Sequence, residues 1–367
     1  SSLGNHDLKW ETTEQIDLGT DLRLFKNRVS LTVDWYQKTT RDLLLNANVP
    51  FSSGYAKVYK NVGEIRNRGM EFSLSTVNVR SKNFEWTSDF NISFNRSKVM
   101  ALAEDEDVLL STITFTGDFN ATYLYMAKVG HPMAQFYGMA WDGCYGYEDF
   151  DQQADGSYLL KANVPTNGDD RTAIQPGDIK YVDQNGDGVV NDLDMVVIGR
   201  CEPIHEGGFN NTFTYKGLSL GIFFQWRYGY DVMNANRIMF EGNYAGRNIN
   251  QFASYADRWS PQNQDSKNYR AGGGGPNGVY SSRTIEDASF LRLKTLSLTY
   301  SLPRKIVRKL GMRSVQFSLS AQNLFTWTDY SGLDPEVSVR NSALTPGFDY
   351  SAYARNKIYT AGLKLIF

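Results

Sequence analysis

The chain has 367 residues, with 38 Lys and Arg against 40 Asp and Glu. The resulting net charge of −2 lacks the cationic excess that nucleic-acid binding needs, and no apolar run exceeds five residues, so no helix of this sequence crosses a bilayer. The mean hydropathy of −0.43 still leaves a membrane β-barrel open, since lumen-facing residues offset lipid-facing ones, and 14 % aromatic content suits the girdles of such a barrel.

Residues 1–6, ending at His6, carry no basic stretch followed by an apolar one, so export is complete before this segment or the chain belongs to something longer. Alternation then begins. Ile16, Leu18, Leu22 and Leu24 lead through Lys26 and Asn27 to Val29, Leu31, Val33 and Trp35, a hairpin with two chemically distinct faces. A second pair places Met70, Phe72 and Leu74 before a turn at 80–83, then Phe84, Trp86, Phe90, Ile92 and Phe94. A weaker third pair runs over 122–129, turns at His131 and Pro132, and leaves through 133–141. The fourth is strong: Phe209, Phe213 and Tyr215, the turn Lys216-Gly217, then Leu218, Leu220, Ile222, Phe224, Trp226 and Tyr228. Leu296, Leu298 and Tyr300 stop at Pro303, a short basic helical turn follows over 304–312, and Val315, Phe317, Leu319, Ala321, Phe325 and Trp327 climb away. Tyr359, Ala361, Leu363, Leu365 and Phe367 form the last run.

This reading predicts eleven strands, with short turns near 26–27, 80–83, 131–132, 216–217 and 303–313 alternating with long connections at 39–62, 97–121, 143–207, 230–289 and 329–354. Outer-membrane barrels separate short turns from long loops in this way, one kind at each end. The predicted fold class is therefore all-β, a transmembrane antiparallel β-barrel. Single-chain bacterial barrels usually have an even strand count, so residues 1–367 are expected to be the carboxyl-terminal part of a larger barrel, bordered on both edges by amino-terminal strands of the same protein.

Asp183-Gln184-Asn185-Gly186-Asp187-Gly188, with Asp194 closing the twelve-residue span, fits the calcium-loop template. Asp183, Asn185, Asp187, the Val189 carbonyl, Asn191 and Asp194 would be the ligands of a structural Ca2+; the alternative is an Asp/Asn/Gly turn held by its own hydrogen bonds. Cys144 and Cys201 sit at the two ends of the 143–207 loop, where a disulfide would cinch its base, with two unpaired thiols as the alternative. His6, His131 and His205 are scattered, no nucleophile or phosphate-loop motif occurs, and Gly272–Gly275 reads as a loop tip, so no enzymatic activity is expected. Polar lumen candidates near the long-loop end are Tyr36, Lys38, Arg66, Arg68, Arg227, Arg292 and Gln322, with Arg66 and Arg68 facing inward only if a bulge resets their phase. Tyr145, Tyr147 and Tyr244 are loop aromatics able to stack on a cargo or a lid.

Seven segments, in order, resemble the SusC/RagA-type TonB-dependent transporters of the Bacteroidetes outer membrane. They begin with Leu8-Lys9-Trp10-Glu11-Thr12-Thr13, Asn61-Val62-Gly63 and Gly177-Asp178-Ile179-Lys180-Tyr181-Val182-Asp183, followed by residues 207–215. Phe290-Leu291-Arg292-Leu293-Lys294, Gln322-Asn323-Leu324-Phe325-Thr326 and Tyr330-Ser331-Gly332-Leu333-Asp334-Pro335-Glu336 complete the set. The resemblance implies a barrel of about 22 strands, an amino-terminal plug and a TonB-contacting segment, neither of which is expected in this sequence, and a SusD-like lipoprotein lid. It further implies import of oligosaccharides or oligopeptides across the outer membrane. The competing readings are a calcium-stabilised surface β-protein that binds carbohydrate without transport, and a barrel enzyme.

Overall fold

The computed structural model describes residues 7–48, 57–102, 106–113, 123–242, 249–275, 281–339 and 342–367, the side chains of 45–48, 57–59 and 62 excepted. Nine long strands form one sheet: β1 (Thr12–Leu24), β2 (Val29–Asn48), β3 (Lys57–Arg80), β4 (Phe84–Ala101), β5 (His205–Tyr215), β6 (Leu218–Tyr228), β7 (Phe290–Ser301), β8 (Ser314–Thr328) and β9 (Ile358–Ile366). They lie side by side in chain order, each antiparallel to its neighbours. The connections at one end are short, at 25–28, 81–83, 216–217 and 302–313, the last holding the helix Arg304–Lys309. Lys216 and Gly217 both take positive φ, 47° and 88°, the paired left-handed geometry whose twist matches a two-residue hairpin.

The register shows why alternation produces a wall. Leu22, Leu31, Leu74, Phe90, Phe209, Phe224, Leu293 and Phe325 stand directly opposite one another from β1 to β8. One residue along, Asp21, Thr32, Ser73, Asn91, Gly208, Gln225, Arg292 and Thr326 make the equivalent polar row on the other face. Bulges at Lys294 in β7 and at 323–324 in β8 occur at the same level, so the apolar row keeps its face across both strands. On the apolar face three polar groups satisfy one another: Asn211 Oδ1 accepts from Trp86 Nε1 at 3.0 Å and from Ser88 Oγ at 2.7 Å.

The strand count corrects the expected eleven. The third predicted pair does form, as Tyr123–Lys128 and Gln135–Gly138, but it lies in a separate four-stranded sheet with Val108–Thr112 and Val196–Arg200, while β4 pairs directly with β5. The predicted loops 97–121 and 143–207 are thus parts of one connection, 102–204. Its strands are short, and the central hairpin turns its apolar residues inward: Leu124, Tyr125 and Phe136 are at most 1 % exposed. The predicted loop 39–62 shrinks to 49–56, because β2 and β3 extend far beyond the apolar band.

The buried apolar core lies in the long connections. Ile113, Leu124, Tyr125 and Phe136 from the first meet Met233, Ala235 and Met239 from the second and Phe348 from the third, so the three fold into one cap. In the wall the apolar side chains stay uncovered, Leu319, Phe325 and Leu363 each at 58 %. A single-layer sheet has no second protein layer to hide them, and the solvent that suits such a face is hydrocarbon.

Candidate functional site

The polar face carries five of the seven lumen candidates. Tyr36, on the phase of Asp34 and Asp17, lies over Gly69, where a Cβ would come within 2.5 Å of its hydroxyl oxygen, and donates to Asn95 Oδ1 at 3.1 Å. Lys38 shares that face one step higher and is exposed. Arg227 pairs with Glu206 at 2.8 Å and stacks its guanidinium over Tyr230. Gln322 stands opposite Thr295 on the same face.

Arg292 is the most committed of these residues. Its side chain is 2 % exposed and bridges two carboxylates, Asp334 at 2.7 Å and Glu336 at 2.5 Å, while Nε donates to Thr326 Oγ1 at 2.9 Å. Arg355 meets the same two carboxylates at 2.9 Å each, and Gln225 donates to Glu336. Tyr230 donates to the Pro335 carbonyl at 2.8 Å. Segment 330–336 is therefore drawn down onto the polar face of β6 and β7, and the mouth of the lumen is lined there by a latched loop. Sequence reasoning found Arg292 but missed its partners Asp334, Glu336 and Arg355. An Asp and a Glu two residues apart, far from the arginine in sequence, give no periodic signal; only the topology brings them together.

Arg66 and Arg68 are not on this face. Register runs unbroken from Ile65 to Val77 against β4, so both share the phase of Met70 and stand on the apolar side, above its last apolar row. No bulge intervenes to reset them.

The motif at 183–194 folds as a turn closed on itself. Asp183 accepts from Gly186 N at 2.7 Å and Gly188 N at 2.8 Å; Asn185 accepts from Asp187 N and Asp187 from Val189 N, both at 2.8 Å. Asp194, fully buried, accepts from Gln184 N and Asn191 N at 2.8 Å, and Asn191 caps Leu193 N. Among the described residues no group of three His, Cys, Asp or Glu side chains gathers closely enough to hold a metal ion.

The expected disulfide is absent. Cys144 and Cys201 are both free. The bridge required 133–141 and β5 to be neighbours in the wall, whereas Cys144 stands opposite Ile179 in a small cap ladder and Cys201 packs on the cluster around Phe136. Burial pushes the Cys144 thiol up to about 11 and that of Cys201 well above its ordinary value. Of the loop aromatics, Tyr145 is fully buried and donates to the Pro165 carbonyl, Tyr147 packs between Tyr158 and Trp259, and Tyr244 lies outside the described residues.

A single-layer antiparallel sheet with a hydrocarbon face, a polar face and folded loops at one end is the wall of an outer-membrane β-barrel. The chain belongs to the TonB-dependent receptor family: residues 1–193 match the family described as "TonB dependent receptor-like, beta-barrel". It is 32 % identical over 372 residues to TonB-dependent receptor P3 of Formosa agariphila, covering 100 % of this chain and 35 % of that protein. SusC of Bacteroides thetaiotaomicron is 25 % identical over 99 % of this chain and 32 % of its own length. A solved structure of the RagAB peptide transporter superimposes with a TM-score of 0.76 at 27 % identity, covering 100 % of this chain and 36 % of that one. The chain thus spans about a third of these relatives' length. Its place is the outer membrane, and these likenesses do not support the reading of a calcium-stabilised surface β-protein that binds carbohydrate without transport.

Proposed function

We propose that this chain forms the carboxyl-terminal wall and extracellular cap of a TonB-dependent importer that carries oligopeptides or oligosaccharides across the outer membrane. The observation that supports this most is the pairing of a polar row running across eight neighbouring strands with a mouth segment, 330–336, latched onto it by Arg292. A solute path needs such a hydrated face and a structured entrance. The wall's outer edges at β1 and β9 would meet the amino-terminal strands of the same protein, a plug would fill the lumen, and TonB would act through the amino-terminal region. A SusD-like lipoprotein would close over the cap, in keeping with the likeness to SusC and to the RagAB peptide transporter. No covalent chemistry is assigned to the chain.

The full-length protein, purified with its lipoprotein partner, should retain an oligomeric solute identifiable by mass spectrometry, and deletion should abolish growth on that solute alone. Growth unaffected on every peptide and glycan source would overturn the proposal. Calcium belongs to it as a ligand of 183–194: the donors are in template order, and binding has to draw Asp183, Asp187 and Asp194 inward from their present backbone partners. Titration with calcium should then slow hydrogen exchange across 183–194. Exchange that is the same with calcium and with chelator would leave the turn self-sufficient.

A further inference from the structure

Arg66 and Arg68 face away from the lumen, and the strand beside them repeats their charge. Arg68 stands directly opposite Arg96 and Arg66 directly opposite Lys98, so two like-charged cross-strand pairs follow one another on the outer face of β3 and β4. Like charges in direct register destabilise a sheet. Arg96 is engaged with the backbone oxygens of Asn95, Pro203 and Ile204, the last at 2.9 Å. Arg66, Arg68 and Lys98 have no carboxylate partner among the described residues. A chain with a slight acidic excess has nonetheless gathered four cations without an ion-pair partner among the described residues at one place on its wall, while the carboxylate at their margin, Glu64, is taken by Arg41 at 3.4 Å.

Their level is set by the strands. From Phe84 at the short-turn end to Phe94 at the long-loop end, apolar residues of β4 span ten positions. At about 3.4 Å per residue and a tilt of about 40° this is an apolar band roughly 25 Å tall. Trp35, Met70 and Phe94, in register with one another, form its upper row, and the Arg68–Arg96 and Arg66–Lys98 pairs lie two and four residues above them. That is the headgroup layer of the outer leaflet.

We propose that Arg66, Arg68, Arg96 and Lys98 form a binding site for the phosphate groups of an outer-leaflet lipid, whose acyl chains lie on the aromatic rows below. The site continues the hydrocarbon-facing surface upward, and a phosphate placed among the four cations turns two repulsive pairs into charge-assisted contacts. It does not depend on what the barrel transports, so its failure and that of the import proposal are separable.

The test uses the full-length protein in detergent, with native mass spectrometry after addition of purified lipid A carrying both phosphates or neither. The unaltered protein should retain the phosphorylated form at least about tenfold better, each cation near a headgroup contributing roughly a fivefold factor. A variant with Arg66→Gln, Arg68→Gln and Lys98→Gln, which leaves the backbone contacts of Arg96 intact, should lose that preference while keeping its heat-sensitive gel mobility. A variant with Lys305→Gln and Lys309→Gln, on the helix at the opposite end, should keep it. Equal retention of the two lipids, unchanged preference in the triple variant, equal loss in both variants, or full competition by millimolar inorganic phosphate would overturn the site.

Discussion

Arg292 ties β7 to the last long connection through two carboxylates at once, with almost no contact with water. Removing one partner of a buried ion cluster leaves the other charges desolvated and uncompensated, at a cost of about 3–5 kcal/mol. Arg292→Met should therefore speed hydrogen exchange across 330–336 while the strands β7 and β8 keep theirs, and Arg292→Lys should rescue it only in part because one ammonium does not span two carboxylates and Thr326. Exchange unchanged in Arg292→Met would mean Arg355 alone holds the segment. The cysteines make a second residue-scale prediction. The thiolate is the nucleophile, and both thiols are held protonated by burial, so alkylation of the folded protein at pH 7.5 should be slow and should rise at Cys144 as the pH climbs toward 11. Intact mass should be the same with and without reductant; a 2-dalton gain on reduction would restore the bridge.

At the scale of the element, strand phase is the determinant. Leu31 and Ile92 sit on the hydrocarbon side and their neighbours Ser30 and Asn91 on the lumen side. An Arg on the lipid face near the midplane costs about 2–4 kcal/mol, whereas the lumen face is hydrated already. Leu31→Arg and Ile92→Arg should lower the amount of folded, heat-modifiable protein in the membrane, and Ser30→Arg and Asn91→Arg should not. Equal loss on both phases would refute the face assignment. Alternation alone nevertheless misplaced one hairpin: Tyr123–Lys128 and Gln135–Gly138 have the length and apolar content of wall strands cut short, and nothing local separates a strand that faces lipid from one that faces a cap core. The phase of Arg66 and Arg68 was correctly tied to Met70 in sequence, but whether a bulge intervened was decided only by pairing with β4.

At the scale of the molecule, wall and cap are stabilised by different solvents. The wall gives its apolar rows to lipid, while the cap buries Phe136 against Tyr125 at 5.1 Å between ring centroids, amid residues of all three long connections. Phe136→Ala should cost about 3–5 kcal/mol and, because the core is shared, should raise hydrogen exchange together in 123–138, 231–240 and around Phe348. A rise confined to 123–138 would show the three connections to be independent.

The alternating apolar pattern of the wall and its short connections at 25–28, 81–83, 216–217 and 302–313 were determined by the sequence itself, because a period of two and turn-forming residues act over a few neighbours. The placement of β4 beside β5, the merger of the long connections into one core, the separation of Cys144 from Cys201 and the capture of Arg292 by Asp334 and Glu336 were decided only in the tertiary structure. Each of these joins residues tens to more than a hundred positions apart. The free energy of such a contact depends on which chains meet and what solvent surrounds them, and local periodicity carries no record of either.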